Sequence, residues 1–278
     1  MPGTLYLVAT PIGNLEDITL RALRTLREVS LIAAEDTRRT AKLLAHYEIS
    51  TPTTSFHEHN QTTKLPRLLA RLQAGHDVAV VTDAGTPGIS DPGQRFAAAA
   101  QNEGLRVVAI PGPSAVLAVL ISSGFETDSF TFLGFPPNRS SDRKRWLRRW
   151  AREPHTLIVF EAPHRIRETL ADIRAILGER HIALGRELTK VHENLVKGPI
   201  SMVIETLREP RGEYSIVIAP PPQHEFNLAT PSDATIRHDF GELTESLGFS
   251  RRDAITELAA RHHLPARQVY AALERTKA

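Results

Sequence analysis

Short apolar runs alternate with amphipathic segments along the first 122 residues of the chain. The apolar runs show no polar alternation, which is typical of strands covered on both faces in a largely parallel sheet. Strands are predicted over residues 5–9, 31–34, 78–82 and 106–110. Helices are predicted over residues 19–29, 40–47, 64–73, 94–102 and 113–122. We therefore expect residues 1–122 to form an N-terminal α/β domain.

The same alternation restarts after a shift in composition at residues 125–137. Strands are predicted over residues 130–135, 156–160, 182–187 and 214–219. Helices are predicted over a basic segment at residues 139–152 and over residues 166–177 and 202–207. This pattern predicts a second α/β domain over residues 123–222.

A proline-rich segment at residues 220–231 predicts a linker, and only helical patterns follow it. Helices are predicted over residues 233–247, 251–262 and 266–275. We expect a small C-terminal helical extension over residues 231–278, which fits a helix-turn-helix with its turn at residues 263–265. Residues 232–278 carry seven bases and seven acids. Because the charge that favours nucleic-acid binding is absent on average, a packing or dimer element fits equally well.

Charge and composition narrow the class of protein. The chain has no cysteine, which excludes thiol catalysis, iron–sulfur clusters and zinc fingers. No secretory leader is recognised and no apolar run is long enough to cross a bilayer, so we expect a soluble cytoplasmic protein with no membrane contact. The net charge is +2, but residues 139–152 hold seven Arg or Lys and one Asp, or +6. This uneven distribution predicts a local contact with a polyanion.

The segment at residues 83–93 reads DAGTPGISDPG and directly follows a buried strand. Its glycines and prolines predict an irregular backbone at the carboxyl end of a strand, where open α/β sheets bind ligands. Its aspartates suit ribose hydroxyls, an amino group or a sulfonium. The alternative is a loop that needs only positive φ angles and a helix cap. The chain has no P-loop motif and no G-x-G-x-x-G after its first strand, which argues against those nucleotide sites.

Polar residues also cluster at other predicted strand ends. These segments are residues 35–40 (EDTRRT), 110–115 (IPGPSA), 160–165 (FEAPHR) and 186–190 (RELTK). Because such clusters occur in both halves of the chain, they predict a cleft between the two domains, with ordinary surface salt bridges as the alternative. His57 and His59 share one face of an extended segment, but no third ligand is evident, so no metal site is predicted.

The basic segment has a helical periodicity. Its arginine stripe consists of Arg145, Arg148, Arg149 and Arg152, and its apolar face of Trp146, Leu147 and Trp150. The planar guanidinium group suits phosphate, which favours a phosphate contact for the arginines. Tryptophan can stack on a base, but core packing is favoured for both Trp residues. The alternative for the arginines is a face that is merely solvated.

Taken in order, these segments resemble the small-subunit ribosomal RNA methyltransferases of the tetrapyrrole-methylase superfamily. The matching segments lie at residues 9–15, 35–38, 55–60, 83–93, 111–115, 132–135, 161–165 and 186–190. The resemblance covers residues 4–219 and extends more loosely through the helical tail. It implies a class III methyltransferase with two α/β domains, S-adenosylmethionine in the cleft between them, and a homodimer. It also implies 2′-O-methylation of a cytidine ribose in the decoding centre of 16S ribosomal RNA.

The resemblance also assigns a cofactor site position by position. The residues that it implies as cofactor contacts are Asp83, Gly85, Pro87, Ile89, Ser90, Asp91, Ser114, Ala115, Phe160, Leu188 and Ser215. The chain departs from the family at Phe160, where Tyr is common, at Asn138, where Lys is frequent, and at Glu193 with Asn194, where an acidic pair is frequent. These departures affect individual contacts and leave the reaction class unchanged.

A ribose hydroxyl is a poor nucleophile at neutral pH, so its proton must be accepted or its developing charge stabilised. We predict Lys190, if its pKa is lowered in the cleft, and Glu187 as the catalytic residues; the alternative is that they simply pair with each other. The arginines expected to bind RNA are Arg38, Arg145, Arg148, Arg149, Arg165 and Arg186. Two other functions stay open: a tetrapyrrole-type small-molecule methylase with the same cofactor, and a non-enzymatic nucleic-acid binder that uses the C-terminal helices.

Overall fold

The structure is a computed structural model, and it describes residues 1–89, 93–208, 210–221, 232–246, 249–261 and 264–275. The chain divides into two compact units, Met1–Pro220 and Pro221–Ala278. The first unit contains two five-stranded sheets, and the described part of the second is helical. The α/β fold class expected from the sequence is confirmed. The exact boundary between the first two domains stays a prediction.

The first sheet is entirely parallel, in the order β3-β2-β4-β1-β5. Its strands are β1 (Thr4–Val8), β2 (Leu31–Ala34), β3 (Thr53–Ser55), β4 (Val78–Val81) and β5 (Arg106–Ile110). Four of them match the predicted apolar runs. Their alternate side chains are buried in two separate cores, one on each face of the sheet. β3 is not among the predicted strands because its three residues are polar and it lies at the sheet edge.

Five helices belong to this half of the unit. They are α1 (Leu20–Glu28), α2 (Thr37–His46), α3 (Gln61–Gln73), α4 (Gly93–Asn102) and α5 (Ala115–Ser123). Three begin at a side-chain cap: Thr19, Asp36 and Ser114 each accept a hydrogen bond from a backbone N–H of the first turn. α5 ends at Gly124, whose φ of 62° is the left-handed conformation that terminates many helices.

The second sheet is mixed, in the order β6-β7-β10-β8-β9. Its strands are β6 (Phe130–Phe132), β7 (Thr156–Glu161), β8 (His181–Arg186), β9 (Asn194–Pro199) and β10 (Tyr214–Ile218). Only β6 and β7 run parallel, and the other neighbours are antiparallel. β9 was not predicted, because its sequence NLVKGP has no continuous apolar run and ends in Gly-Pro.

Helices cover both faces of the second sheet. α6 (Ser140–Arg148), α7 (Ile166–Leu177) and α8 (Ile200–Thr206) belong to the core on one face. α5 follows the first sheet in the chain, yet its Val116 and Val119 pack with Ile158 and Val217 of the second sheet. This helix therefore ties the two sheets together and fixes their strand ends beside each other.

The basic segment forms a shorter helix than its periodicity predicts. α6 ends at Arg148, and residues 149–152 form turns, so Arg152 does not continue a helical stripe from Arg145. Arg143, one of the seven bases counted in this segment, is fully buried and donates from Nε to Asp172 Oδ2 at 2.7 Å. Its charge is neutralised inside the fold, which reduces the exposed positive charge of the segment.

The second unit is built from helices around one small core, among its described residues. They are α9 (Asp233–Gly241), a π-helical turn (Glu242–Ser246), α10 (Arg251–Arg261) and α11 (Ala266–Arg275). Their buried side chains include Ile236, Leu258 and Val269. The predicted helices are thus found. Residues 222–231 of the linker, residue 262 at the end of a predicted helix and residue 263 of the predicted turn lie outside the described residues. Within the described ranges, no helix is both long and apolar enough to cross a membrane.

Candidate active site

A cavity of about 450 Å³ opens where strands of both sheets end. We call it the strand-end cavity. The first sheet contributes residues that follow β1, β2, β4 and β5: Ile12, Glu35, Arg39, Thr82, Asp83, Ala84, Gly85, Thr86, Ile89, Ser114, Ala115 and Val116. The second sheet contributes Phe135, Phe160, Glu161, Ala162, Pro163, Leu188, Glu213, Tyr214 and Ser215. The predicted cleft therefore exists, and both sheets line it.

Two carboxylates dominate the wall of the first sheet. Glu35 Oε2 accepts hydrogen bonds from Thr82 Oγ1 at 2.6 Å and from Asp83 N at 3.1 Å. Asp83 Oδ1 accepts from Asp36 N at 3.0 Å, and its Oδ2 lies 3.5 Å from Arg39 Nη1. Burial and the negative charge of Glu35 raise the pKa of Asp83. A hydrogen-bond donor or a cation in the cavity would relieve this repulsion.

The loop after β4 has the irregular backbone that its glycines predict. Gly85 and Gly88 have φ angles of 84° and 94°, and Gly85 pairs with Thr10 through two backbone hydrogen bonds. Asp83, Gly85 and Ile89 line the cavity, whereas Pro87 is not among the lining residues. The alternative interpretation, a loop that needs positive φ, is satisfied by the same geometry. Ser90 and Asp91 lie outside the described residues.

The wall of the second sheet is largely apolar. The ring of Phe160 packs edge-on against Phe132 and Phe135, with centroids 4.9 and 5.7 Å away. Leu188 and Ser215 complete this wall, and Ser114 and Ala115 face it from the start of α5. An aromatic and aliphatic surface opposite an acidic one suits a ligand with an apolar ring system and a polar or cationic part.

Glu161 has a structural role at the edge of this wall. It is 2% exposed and accepts from Ala162 N at 2.7 Å, Arg165 Nε at 2.8 Å and Thr169 Oγ1 at 2.5 Å. The side chain of Arg165 is only 13% exposed and also donates to Asn138. Arg165 is therefore already engaged within the protein, which weighs against its predicted role as an RNA contact.

Glu187 and Lys190 do not line the cavity; they form an ion pair behind it. Lys190 Nζ lies 2.9 Å from Glu187 Oε1 and 3.5 Å from Glu213 Oε2, and Glu213 does line the cavity. Burial alone lowers the pKa of Lys190, but the hydrogen bond to Glu187 and the charge of Glu213 outweigh it, so the pKa is raised. The same hydrogen bond lowers the pKa of Glu187.

Lys190 was predicted to accept a proton only if its pKa were lowered in the cleft. Its pKa is raised, so that condition is not met. Its neighbours are two carboxylates, and they hold the proton on the ammonium group. The pairing of Glu187 with Lys190, which was the alternative interpretation, is the arrangement found. Glu187 and Thr189 both have positive φ angles, 53° and 66°. Backbone strain of this kind is concentrated at functional sites, although it does not identify one by itself.

The remaining predicted arginines are spread over several surfaces. Arg38, with a side chain 89% exposed, pairs with Asp36 at 2.7 Å, and this pairing holds the pKa of Asp36 well below its usual range. Arg145, Arg148 and Arg149 are exposed at and beyond the end of α6, with Arg145 3.4 Å from Asp142. Arg186 ends β8 and is only partly exposed. None of these arginines lines the strand-end cavity.

Three lining residues were not among the predicted cofactor contacts. Ile12 and Phe135 lie in segments that match the family, residues 9–15 and 132–135, but their apolar side chains gave no reason to single them out. Glu213 precedes an antiparallel strand, so its position at this edge depends on the direction of β10, which periodicity does not report. The acidic and basic turn at residues 35–40 was a usable signal for Glu35 and Arg39. Within the described part of the chain, no group of three or more His, Cys, Asp or Glu is arranged to hold a metal.

Solved structures of methylases have the same fold as the first unit. Uroporphyrin-III C-methyl transferase from Thermus thermophilus, complexed with S-adenyl homocysteine, is 21% identical with a TM-score of 0.56, covering 78% of this chain and 97% of that one. The cobalt precorrin-4 methyltransferase of cobalamin biosynthesis is 16% identical with a TM-score of 0.59, covering 78% and 94%. The fold is therefore that of the tetrapyrrole-methylase class of α/β proteins.

Sequence similarity narrows this class. The family described as Tetrapyrrole (Corrin/Porphyrin) Methylases matches residues 4–203. A relative from Synechocystis sp. named ribosomal RNA small subunit methyltransferase I is 47% identical, covering 96% of both chains. A relative of the same name from Halalkalibacterium halodurans is 42% identical, covering 96% of this chain and 93% of the other. The chain belongs to the tetrapyrrole methylase family and, within it, to the ribosomal RNA small subunit methyltransferase I group.

Proposed function

We propose that this protein transfers a methyl group from S-adenosylmethionine to the ribose 2′-hydroxyl of a cytidine in the decoding centre of 16S ribosomal RNA. The observation that carries the proposal is the strand-end cavity, with an acidic wall facing an apolar one. It occurs in a chain 47% identical to a relative named for methylation of this ribosomal subunit. S-adenosylmethionine, with an aromatic base, ribose hydroxyls and a positively charged sulfur, matches both walls.

The cavity fits such a cofactor in size and chemistry. Its volume of about 450 Å³ lies within the range of about 300–1,000 Å³ for small-molecule sites. The rings of Phe160 and Phe135 and the side chain of Leu188 offer apolar contact. Burial and the charge of Glu35 raise the pKa of Asp83, so a cationic or hydrogen-bond-donating ligand is favoured beside this carboxylate. The residues that would hold the cofactor are Asp83, Gly85, Ile89, Ser114, Ala115, Phe160, Leu188 and Ser215, with Pro87, Ser90 and Asp91 retained from the resemblance.

When bound, S-adenosylmethionine supplies a methyl group activated by its attachment to a positively charged sulfur. The task of the protein is then to align the 2′-oxygen with that group and to handle its proton. Lys190 is proposed to stay protonated and to stabilise the negative charge that develops on the ribose oxygen as its proton leaves. The carboxylate proposed to accept that proton is Glu213, which lines the cavity. Glu187 holds Lys190 in place, and Glu213 is the carboxylate of this cluster that reaches the cavity wall.

The RNA is proposed to lie across the basic surfaces outside the cavity. The exposed Arg145, Arg148 and Arg149 supply one of them, and Arg38 and Arg186 supply contacts nearer the strand ends. Phosphate binding by such side chains dominates the affinity of most RNA complexes. A ribosomal substrate implies work in the cytoplasm, and the homodimer implied by the resemblance is retained as part of the proposal.

Methyl transfer from labelled S-adenosylmethionine tests the proposed reaction. The acceptors are 30S subunits from cells that lack this protein, subunits from wild-type cells, and a porphyrinoid such as uroporphyrinogen III. We expect labelling of the first acceptor alone, at one cytidine 2′-oxygen when the 16S RNA is mapped. Labelling of the porphyrinoid alone would establish the small-molecule methylase instead. Absence of cofactor binding in calorimetry would favour a non-enzymatic binder.

A further inference from the structure

A second cavity, of about 540 Å³, lies on the opposite face of the second sheet. We call it the Arg186 cavity. It is lined by Leu184, Arg186, Val191, His192, Glu193, Asn194, Val196, Thr206, Leu207, Arg208 and Tyr214. Tyr214, at the start of β10, lines both cavities. Leu184 of the Arg186 cavity belongs to the core beneath α7 and α8, whereas Leu188 and Phe160 of the strand-end cavity belong to the core beneath α5. The two cavities therefore open on different faces of one sheet.

The strand register builds the floor of this cavity. Tyr214 pairs with Arg186, and Arg186 pairs with Asn194, so these three residues form one row across β10, β8 and β9. In the next row Leu184 pairs with Val196. Side chains of residues paired across a sheet point to the same face. This arrangement places a guanidinium group between an aromatic and an amide side chain on a rigid base.

The charge of the Arg186 cavity is opposite to that of the strand-end cavity. Among the described residues, two arginines, Arg186 and Arg208, and the imidazole of His192 line it, against the one carboxylate of Glu193. That carboxylate already accepts from Thr189 N at 2.7 Å. The strand-end cavity carries four carboxylates and one arginine. An anionic group is therefore favoured in the Arg186 cavity and disfavoured in the strand-end cavity.

Arg186 has a donor that nothing in the described residues uses. Its Nε is buried and has no hydrogen-bond partner among them. A buried donor without an acceptor costs about 1–3 kcal/mol, and a charged one costs more. Such a cost is removed when a ligand supplies oxygen atoms, and the guanidinium fork matches a phosphate in particular.

We propose that the Arg186 cavity binds a phosphate group, held by Arg186 and Arg208. This inference rests on the proposed function where it identifies the phosphate as a phosphodiester of the RNA substrate. The chain links the site to the cofactor wall, because Arg186 lines one cavity and Leu188, two residues later, lines the other. Between them Glu187 has a positive φ of 53°, which turns the chain from one face towards the other. RNA bound at Arg186 would thus hold the loop that carries Leu188.

Binding of a fluorescent RNA oligonucleotide, titrated at several salt concentrations, tests the site directly. The variants are Arg186→Gln and Arg208→Ala, and the exposed Arg208 makes the second one safe for folding. We expect each to raise Kd about tenfold and to reduce the slope of log K against log salt by about 1. The matched control is Arg24→Ala, exposed on α1 and lining neither cavity. Wild-type Kd and slope in both cavity variants would overturn the proposal for RNA.

Inorganic phosphate separates the two sources of the ligand. In this arm the melting temperature is measured against phosphate concentration for the wild type and for Arg186→Gln. Saturable stabilisation of the wild type alone, with RNA affinity equal in both proteins, would assign the cavity to free phosphate. If phosphate does not raise the melting temperature of the wild type, and Arg186→Gln does not change RNA affinity, the proposal of a phosphate site is overturned.

Methyl transfer to 30S subunits distinguishes a failure of this inference from a failure of the proposed function. A wild-type protein that methylates 16S RNA, with unchanged KM for subunits in both variants, would remove the Arg186 cavity and leave the proposed reaction standing. A wild-type protein that transfers no methyl group to RNA, yet shows phosphate binding that Arg186→Gln abolishes, would leave the cavity standing without that reaction.

Discussion

Lys190 Nζ lies 2.9 Å from Glu187 Oε1, and this ion pair decides what Lys190 contributes. A lysine beside a carboxylate loses its proton only at a pH above its usual pKa, because deprotonation would leave the carboxylate unpaired. The pair is also fixed from behind, since Glu213 N donates to the same Glu187 oxygen at 3.1 Å. The raised pKa of Lys190 favours a positive charge beside the cavity over a role as a base.

Lys190→Met should lower kcat for methyl transfer by about 100- to 1,000-fold, as removal of one charge-stabilising group commonly does. Because the pKa of Lys190 is raised, the wild-type rate should show no step from this residue below its ordinary pKa of 10.5. Measurement of kcat from pH 6 to pH 10 checks this prediction, with Lys42→Met on the exposed face of α2 as the control. A wild-type rate step near neutral pH that is missing in Lys190→Met would restore the proton-acceptor role.

Asp83→Asn should weaken S-adenosylmethionine binding by about tenfold or more, since a carboxylate is removed from the acidic wall. The same change should leave stability equal or raise it by about 0.5–1 kcal/mol, because the charge repels Glu35. The sign follows from the raised pKa of Asp83: protonation favours the folded state, so the carboxylate costs stability above that pKa. Calorimetry and urea unfolding at pH 7 measure the two effects. Loss of both binding and stability would show that Asp83 is structural.

Gly13→Ala should destabilise the protein by about 1–3 kcal/mol, the usual cost of overpacking. A Cβ there would lie 2.5 Å from Lys190 Cγ and 2.8 Å from Leu188 O. Since the backbone of the loop carrying Leu188 must move, cofactor affinity should fall as well. Gly241→Ala is the matched control, because a Cβ at Gly241 meets no atom within 4 Å. Equal thermal stability of the two variants would contradict the close approach of these loops.

Arg143→Met should destabilise the fold by about 3 kcal/mol, since breaking a buried ion pair leaves the partner charge uncompensated. Among the described residues, Asp172 would keep Ser140 and Lys144 as side-chain partners. Urea unfolding measures the loss. Restoration of stability in the double variant Arg143→Met/Asp172→Leu would support this explanation, whereas further loss would point to packing.

Replacement of Arg145, Arg148 and Arg149 by Ala should leave stability within about 0.5 kcal/mol of the wild type, because these side chains are exposed. RNA affinity should fall, and the slope of log K against log salt should flatten by about 1 for each phosphate that these arginines no longer bind. Cofactor affinity should stay unchanged. An unchanged salt slope would remove the end of α6 from the RNA surface.

Much of the fold could be read from the chain, because burial on both faces of a parallel sheet requires continuous apolar runs. β2, β5, α7 and α11 have the predicted bounds, and the caps at Thr19 and Asp36 act locally. β3 and β9 were missed since an edge strand gains its stability from pairing and not from an apolar pattern. The irregular backbone of the loop after β4 could also be predicted, because its glycines favour positive φ angles that few other residues adopt.

Only the tertiary structure decided which charges are free and which are paired. Arg143, Arg165 and Lys190 look in the sequence like available cations, yet each has a carboxylate partner within the described residues. Arg186 looked the same and keeps a buried donor without a partner among them. The sequence by itself determined the element types and the family, since periodicity and backbone preference are local properties. Arg143 meets Asp172 across 29 residues of the chain. Arg165 and Lys190 pair with carboxylates only four and three residues away, and the folded backbone between the two groups, which charge spacing does not specify, decides whether they meet.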